Sequence, residues 1–124
     1  DLAVYSGLRI LFHVFSKFEK GKGGSTVPEL TKLCDRQEDF DYFIPLFVEN
    51  RLLIPAADGY VPATSSSTVK LESVVDLVHN ATLEIPNSAP DDGLRRKTAK
   101  LFSEMRESNR KILAELTLAD ILKG

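Results

Sequence analysis

Three amphipathic segments in succession, the second and third short and close together, then a hairpin-like pair of strands and a further helix, predict a mainly α protein with a small β-hairpin. That order is the arrangement of a winged helix-turn-helix, here followed by a long C-terminal helix. Two details of local chemistry support it: a glycine-rich break with a capping box after the first helix, and an Asp-Gly pair between the strand-like stretches. The sequence divides into a winged-helix core over residues 1–80, a loop over 81–93, and a C-terminal helical extension of the same domain over 94–124.

In "DLAVYSGLRILFHVFSKFEKGKGG", Leu8, Leu11, Phe12, Phe15 and Phe18 recur at helical spacing and mark a buried face. Arg9, His13 and Lys17 fall on another face at four-residue steps, and Lys20 extends them into a basic stripe. Gly21, Gly23 and Gly24 end this helix. Thr26 and Glu29 then form a capping box, with Pro28 in the first turn where it loses no intrahelical bond. The second helix is expected over 27–34, with Leu30 and Leu33 inward.

The third helix, expected over 38–49, carries Phe40, Phe43, Ile44, Phe47 and Val48 on its apolar face. Pro45 lies inside it and is expected to kink it or end its first part, because proline lacks the N–H that the ladder needs. The strand-like runs 52–54 and 60–61 flank Asp58 and Gly59, residues that tolerate a positive φ in a turn. After a serine-rich connector, Val69, Leu71, Val74, Val75 and Val78 mark a fourth helix ending near Asn80. The run 81–92, with two prolines and no period, reads as a loop. A long amphipathic helix follows over 92–115. Its Leu94, Leu101, Met105 and Ile112 form a seam that must bury against the domain itself or against the same helix of a second copy, as a homodimer. Thr117 and Asp120 make a closing capping pair.

The bulk numbers exclude several classes. A chain of 124 residues with 43% apolar and 27% charged residues fits one globular domain. The net charge of −2 gives no general attraction to phosphate, so a nucleic-acid binder would need its bases gathered on one face. The single Cys34 excludes an intrachain disulfide and an all-cysteine metal site. The early apolar run is interrupted by Arg9, His13 and Lys17, which argues against a signal peptide or a spanning helix. The chain begins at Asp1 and not at Met, as expected of a piece of a longer protein.

The third helix occupies the place of a recognition helix, yet its polar residues are Glu38, Asp39, Asp41 and Glu49, with no Lys or Arg between Gln37 and Asn50. Base reading needs Arg, Lys, Asn or Gln on that helix, and phosphate contact needs cations. DNA is therefore disfavoured, and Glu38, Asp39, Asp41 and Tyr42 are assigned instead to a surface for a protein partner. The alternative is that the carboxylates only complement the helix dipole. The basic stripe Arg9, His13, Lys17 and Lys20 offers contact with an anionic membrane surface, or is simply a solvated helix face.

Catalytic patterns are absent from the sequence. The two histidines, His13 and His79, have no metal spacing, "GKGG" lacks the rest of a phosphate loop, and there is no nucleophile elbow. No cofactor is expected.

The stretches "YSGLRILFHVFSKFEKGKGGSTVPELTKL", "LFVENRLLIPAADGYVPA", "VKLESVVDLV" and "LTLADILK" resemble the C-terminal domain of ribonuclease BN-like (YihY/BrkB-type) inner-membrane proteins. The resemblance implies a multi-helix membrane domain before this one, with this domain in the bacterial cytoplasm. On it rests the expectation of a non-catalytic interaction or regulatory domain, whose partner is another protein or its own membrane domain. The family's ribonuclease name finds no clustered metal-holding residues here. The sequence also resembles Rrf2-type transcription regulators, which share the wing, the helix after it and a long dimerisation helix ending in a "TLADL"-like turn. That second resemblance implies a DNA-binding regulator. Members that sense through an iron–sulfur cluster carry several cysteines past the wing helix, and this chain has none between Asn80 and Leu94.

Overall fold

The computed structural model describes residues 2–82 and 93–123. Its elements run α1 (Leu2–Glu19), β1 (Ser25–Thr26), α2 (Val27–Thr31), α3 (Gln37–Glu49), β2 (Leu53–Ala56), β3 (Gly59–Pro62), a 3₁₀ turn (Ser66–Thr68), α4 (Leu71–Thr82), α5 (Gly93–Leu113) and α6 (Leu118–Leu122). They form two compact units, Asp1–Val69 with Thr117–Gly124, and Lys70–Leu116. The structure is mainly helical with a small three-stranded antiparallel sheet.

In the first unit, α1 buries Ile10, Leu11, Val14 and Phe15 completely. These four, and not the whole expected set, are fully buried: Phe18 is 46% exposed near the end of the helix. Against α1 pack α3, β1, β3 and α6. From α3 come Phe40, Phe43, Ile44 and Phe47, all buried, with the Phe43 and Phe47 rings stacked at 5.8 Å. Full burial of such side chains supplies roughly 1.5–3 kcal/mol each, upper values because unfolded chains already bury part of that surface.

The helix α3 runs unbroken through Pro45, where a kink or stop was expected. The bond that proline forfeits would have joined it to the carbonyl of Asp41, and both residues lie on the exposed side of the helix, where solvent access lowers the cost of the missing donor. The aromatic face on the other side holds the helix together.

The sheet has the order β1-β3-β2. The hairpin pairs Leu53 with Pro62 and Ala56 with Gly59, leaving Ala57 and Asp58 as the turn. The positive φ falls on Ala57, at 52°, and not on Asp58 or Gly59 as the Asp-Gly pair led us to expect. Gly59 serves a different end. It pairs with Thr26 of β1, and a Cβ there would run into the Ser25 carbonyl. The two-residue β1, too short to be legible in the sequence, fixes the wing to the start of α2.

The closing α6 belongs to the first unit. Leu118 is fully buried, and its amide donates to the Val69 carbonyl at 2.8 Å. At the C-terminal end of α1, the Glu19 carboxylate accepts both the amide and the hydroxyl of Ser66, at 2.9 and 2.6 Å, and so holds the 3₁₀ turn. The second unit consists of α4 packed on α5, with Leu71, Val74 and Val78 of α4 buried. The expected loop over 81–93 lies, from residue 83 to 92, outside the described residues.

Candidate functional site

The exposed side of α3 carries Glu38, Asp41, Tyr42, Pro45 and Glu49. Tyr42 is 47% exposed and stands edge-on to the buried Phe43 ring at 5.1 Å, so its ring is fixed while its outer half meets solvent. Asp41 accepts a hydrogen bond from Gln37 at 3.0 Å, one turn earlier. The wing, whose strand β2 packs against α3, exposes Ile54, Pro55, Ala56, Ala57 and Asp58. No basic side chain lies on α3 or on the hairpin strands and their turn.

Asp39 does not belong to that surface, and here the structure corrects the sequence reading. It is 4% exposed, at the third position of α3, and accepts from the Arg36 guanidinium at 3.1 Å through Oδ1. Its Oδ2 is buried without a hydrogen-bond partner in the protein. The helix dipole and Arg36 together compensate the charge. Arg36 also approaches Glu38 at 3.6 Å, so the cation flanking α3 is engaged by its own acids. The other flanking base, Arg51, is exposed just past the C-terminus of α3. Of the aromatics, Phe40 and Phe43 are core and Tyr42 alone is presented.

The basic stripe is brought together, but not as a free row of charges. Glu29, the third residue of α2, closes its capping box by accepting the Thr26 amide at 2.6 Å, while the Thr26 hydroxyl accepts the Glu29 amide at 3.3 Å. The same carboxylate takes Lys17 Nζ at 2.8 Å on Oε1 and His13 Nε2 at 3.0 Å on Oε2. One side chain thus caps α2 and ties it to two successive turns of α1. The hydrogen bond from Lys17, then that from the Thr26 amide, then that from His13 lower the Glu29 carboxyl from 4.5 to about 2. Arg9 sits apart, donating to the Leu33 carbonyl at 3.2 Å and lying 5.5 Å from the Tyr5 ring centroid. Lys20 is exposed beyond the end of α1.

Sequence reasoning found the capping box and the stripe separately, yet missed that Glu29 joins them. The available signal was its spare acceptor capacity: a capping box uses one lone pair of the carboxylate, which leaves the rest of Oε1 and all of Oε2 for neighbouring donors. Nor did the sequence reveal that α6 returns to α1, where Ile121 and Leu122 share an open cleft with Phe12, Lys20 and Lys22.

In the proposed seam on α5, Leu101 and Met105 are 53% and 40% exposed. The side chains of Leu94 and Ile112 lie outside the described residues. Cys34 is half-buried after α2, its thiol directed at the Leu30 carbonyl at 3.7 Å, and burial pushes its pKa up. An iron–sulfur cluster does not fit this chain, because one thiol cannot supply the several ligands a cluster needs. Among the described residues no group of three or more His, Cys, Asp or Glu could hold a metal ion, and no helix is long and apolar enough to cross a membrane.

No family model matches the sequence, and no match emerges among curated proteins. Solved structures do match in fold. CymR (YrzC), the global cysteine regulator of B. subtilis, superposes with a TM-score of 0.64 at 14% identity, over 100% of this chain and 95% of that one. IscR of T. potens gives 0.63 at 18% identity, over 99% of this chain and 85% of that one. At such identities the likeness concerns fold alone. It favours the Rrf2-type resemblance over the membrane-protein one, which has no support from these comparisons. The chain has a winged helix-turn-helix fold, mainly helical with a small three-stranded antiparallel sheet, and shares that fold with these two structures.

Proposed function

We propose that this chain is a winged-helix regulatory domain of Rrf2 architecture without an iron–sulfur cluster, and that its α3–wing face binds a protein in place of duplex DNA. The observation that carries the partner class is the exposed side of α3, where every charged side chain is acidic and a half-exposed Tyr42 stands among them. Carboxylates facing phosphates repel, whereas an aromatic ringed by acids suits a partner with a basic, partly apolar surface. The test is a titration of the chain with labelled duplex DNA across salt. The expected result at physiological salt is no binding tighter than the non-specific range, about 10⁻⁴–10⁻⁶ M. Submicromolar binding there would overturn it.

The second reading is a DNA-binding, cluster-free regulator of Rrf2 type. It is favoured by the fold match along the whole chain, the long α5 and closing α6 included. A steep salt dependence with a preferred duplex sequence is its signature. The placement of this domain on the cytoplasmic side of a bacterial inner-membrane protein rests on sequence resemblance alone. Membrane fractionation of the full-length gene product tests it: recovery in the soluble fraction would defeat the tethered placement without touching either partner reading.

A further inference from the structure

The cleft bounded by α1, α2 and α6 has chemistry that the α3–wing face does not use. Its volume is about 550 Å³, within the range usual for small-molecule sites, roughly 300–1,000 Å³. Phe12 of α1 and Ile121 and Leu122 of α6 give it an apolar side, and Ile121 is left 43% exposed there. Ser16, Lys20 and Lys22 line it on the polar side. Its other charged residues are already matched, since Glu29 holds Lys17 and His13. Lys20 and Lys22 have no ion-pair partner among the described residues.

The end of α1 builds this arrangement. Gly21, at φ 77°, turns the chain so that the Lys22 amide reaches back to the Lys17 carbonyl at 3.0 Å, while the Gly21 amide donates to the Phe18 carbonyl at 3.0 Å. This double cap brings Lys22 back beside the last turn, next to Lys20. The negative end of a helix ordinarily opposes an anion. Here the carbonyls of Ser16, Lys17 and Phe18 are all bonded, and two lysines outweigh a dipole equivalent to about half a charge.

We propose that this cleft binds a small soluble amphipathic anion. Its carboxylate or phosphate head is held by Lys20, Lys22 and the Ser16 hydroxyl, and its short alkyl or aryl tail lies against Phe12, Ile121 and Leu122. Because the two lysines share a recess with apolar walls contributed by two helices, the occupant is a free molecule with one charged end, not the plane of a bilayer. Binding covers the exposed Ile121 and bridges α6 to α1.

The experiment is an amide NMR titration of the chain with hexyl phosphate and hexanoate, with inorganic phosphate and hexanol as single-feature probes. The expected result is saturable shifts at Ser16, Lys20, Lys22 and Ile121 with the two amphiphiles and much weaker ones with either control. The double variant Lys20→Glu, Lys22→Glu, at two exposed positions, should weaken hexyl phosphate by about tenfold or more while the remaining spectrum stays intact. Ile121→Ser should weaken hexyl phosphate and leave inorganic phosphate unchanged. Inorganic phosphate binding as tightly as hexyl phosphate, or hexanol shifting the same amides equally, overturns the proposal. So does lysine-dependent sedimentation with vesicles of equal parts phosphatidylglycerol and phosphatidylcholine in the absence of hexyl phosphate binding, which would make the site a lipid-headgroup contact.

Discussion

The helices α1 and α3 end in the same backbone motif with opposite side-chain chemistry. After α1, Gly21 adopts φ 77° and the Lys22 amide reaches the Lys17 carbonyl at 3.0 Å; after α3, Arg51 adopts φ 60° and the Leu52 amide reaches the Phe47 carbonyl at 2.9 Å. Glycine enters that region freely, whereas a residue with a Cβ is held there at a cost of about 1–2 kcal/mol. The end of α1 is therefore specified locally. The end of α3 is imposed from outside, by burial of Phe47 and Leu53 on either side of Arg51. The charges differ as well, with lysines gathered at the first end and carboxylates along the second helix. What this teaches is that the lysines gather at the end of α1, while the helix that a winged fold presents to DNA carries no base of its own and has only Arg36 and Arg51 at its flanks.

The strongest way to break the comparison is to remove the packing that holds α3. Phe43→Ala, at a 1% exposed position stacked on Phe47, should cost about 3–5 kcal/mol in urea unfolding. A loss under about 1 kcal/mol would mean that α3 is held locally after all. Next in size is a change of charge: Glu38→Lys with Asp41→Lys should raise non-specific duplex affinity about tenfold at low salt, with an effect that vanishes as salt rises. Equal affinity of the unmodified chain would erase the contrast between the two helices. The two caps should then respond with opposite signs. Gly21→Ala is expected to lower stability by about 1 kcal/mol and Arg51→Gly to raise it by up to about that amount, both read from denaturant midpoints.

The smallest effect concerns Glu29 and acid. Its folded-state pKa, about 2 against an ordinary 4.5, means that the unfolded chain takes up the proton first. The stabilisation is complete above pH 4.5 and is lost as pH falls from there toward 2. Glu29→Gln should cost about 0.5–1 kcal/mol near neutrality, through the weakened cap and lost ion pairs, and should flatten the pH dependence of stability in that window.

Much of the fold was legible because its signals are local. Apolar spacing located α1, α3, α4 and α5, and the Thr26–Glu29 and Thr117–Asp120 pairs marked the starts of α2 and α6. The candidate site was less so. Whether a carboxylate near a helix start faces in or out depends on the packing of its neighbours, and Asp39 turned inward where Glu38 and Asp41 did not. Pro45 misled for the same reason, since its cost depends on solvent access at Asp41. The link from Glu29 to His13 and Lys17 spans 16 and 12 positions and has no period to betray it. The cleft with α6 joins residues about a hundred positions apart, a distance that only tertiary structure closes.

Gly59 carries a consequence for how this protein can vary. Because the Ser25 backbone occupies the space where any side chain at 59 would begin, the wing has no tolerance there, not even for a single methyl group. The neighbouring turn residues Ala57 and Asp58 are exposed and have room to change, although φ 52° at position 57 favours Gly, Asn or Asp over β-branched residues. In a saturation library selected for folding, the wing tip should thus drift widely around one invariant position. Diversity aimed at this face would have to be written into the turn and α3, with residue 59 left untouched.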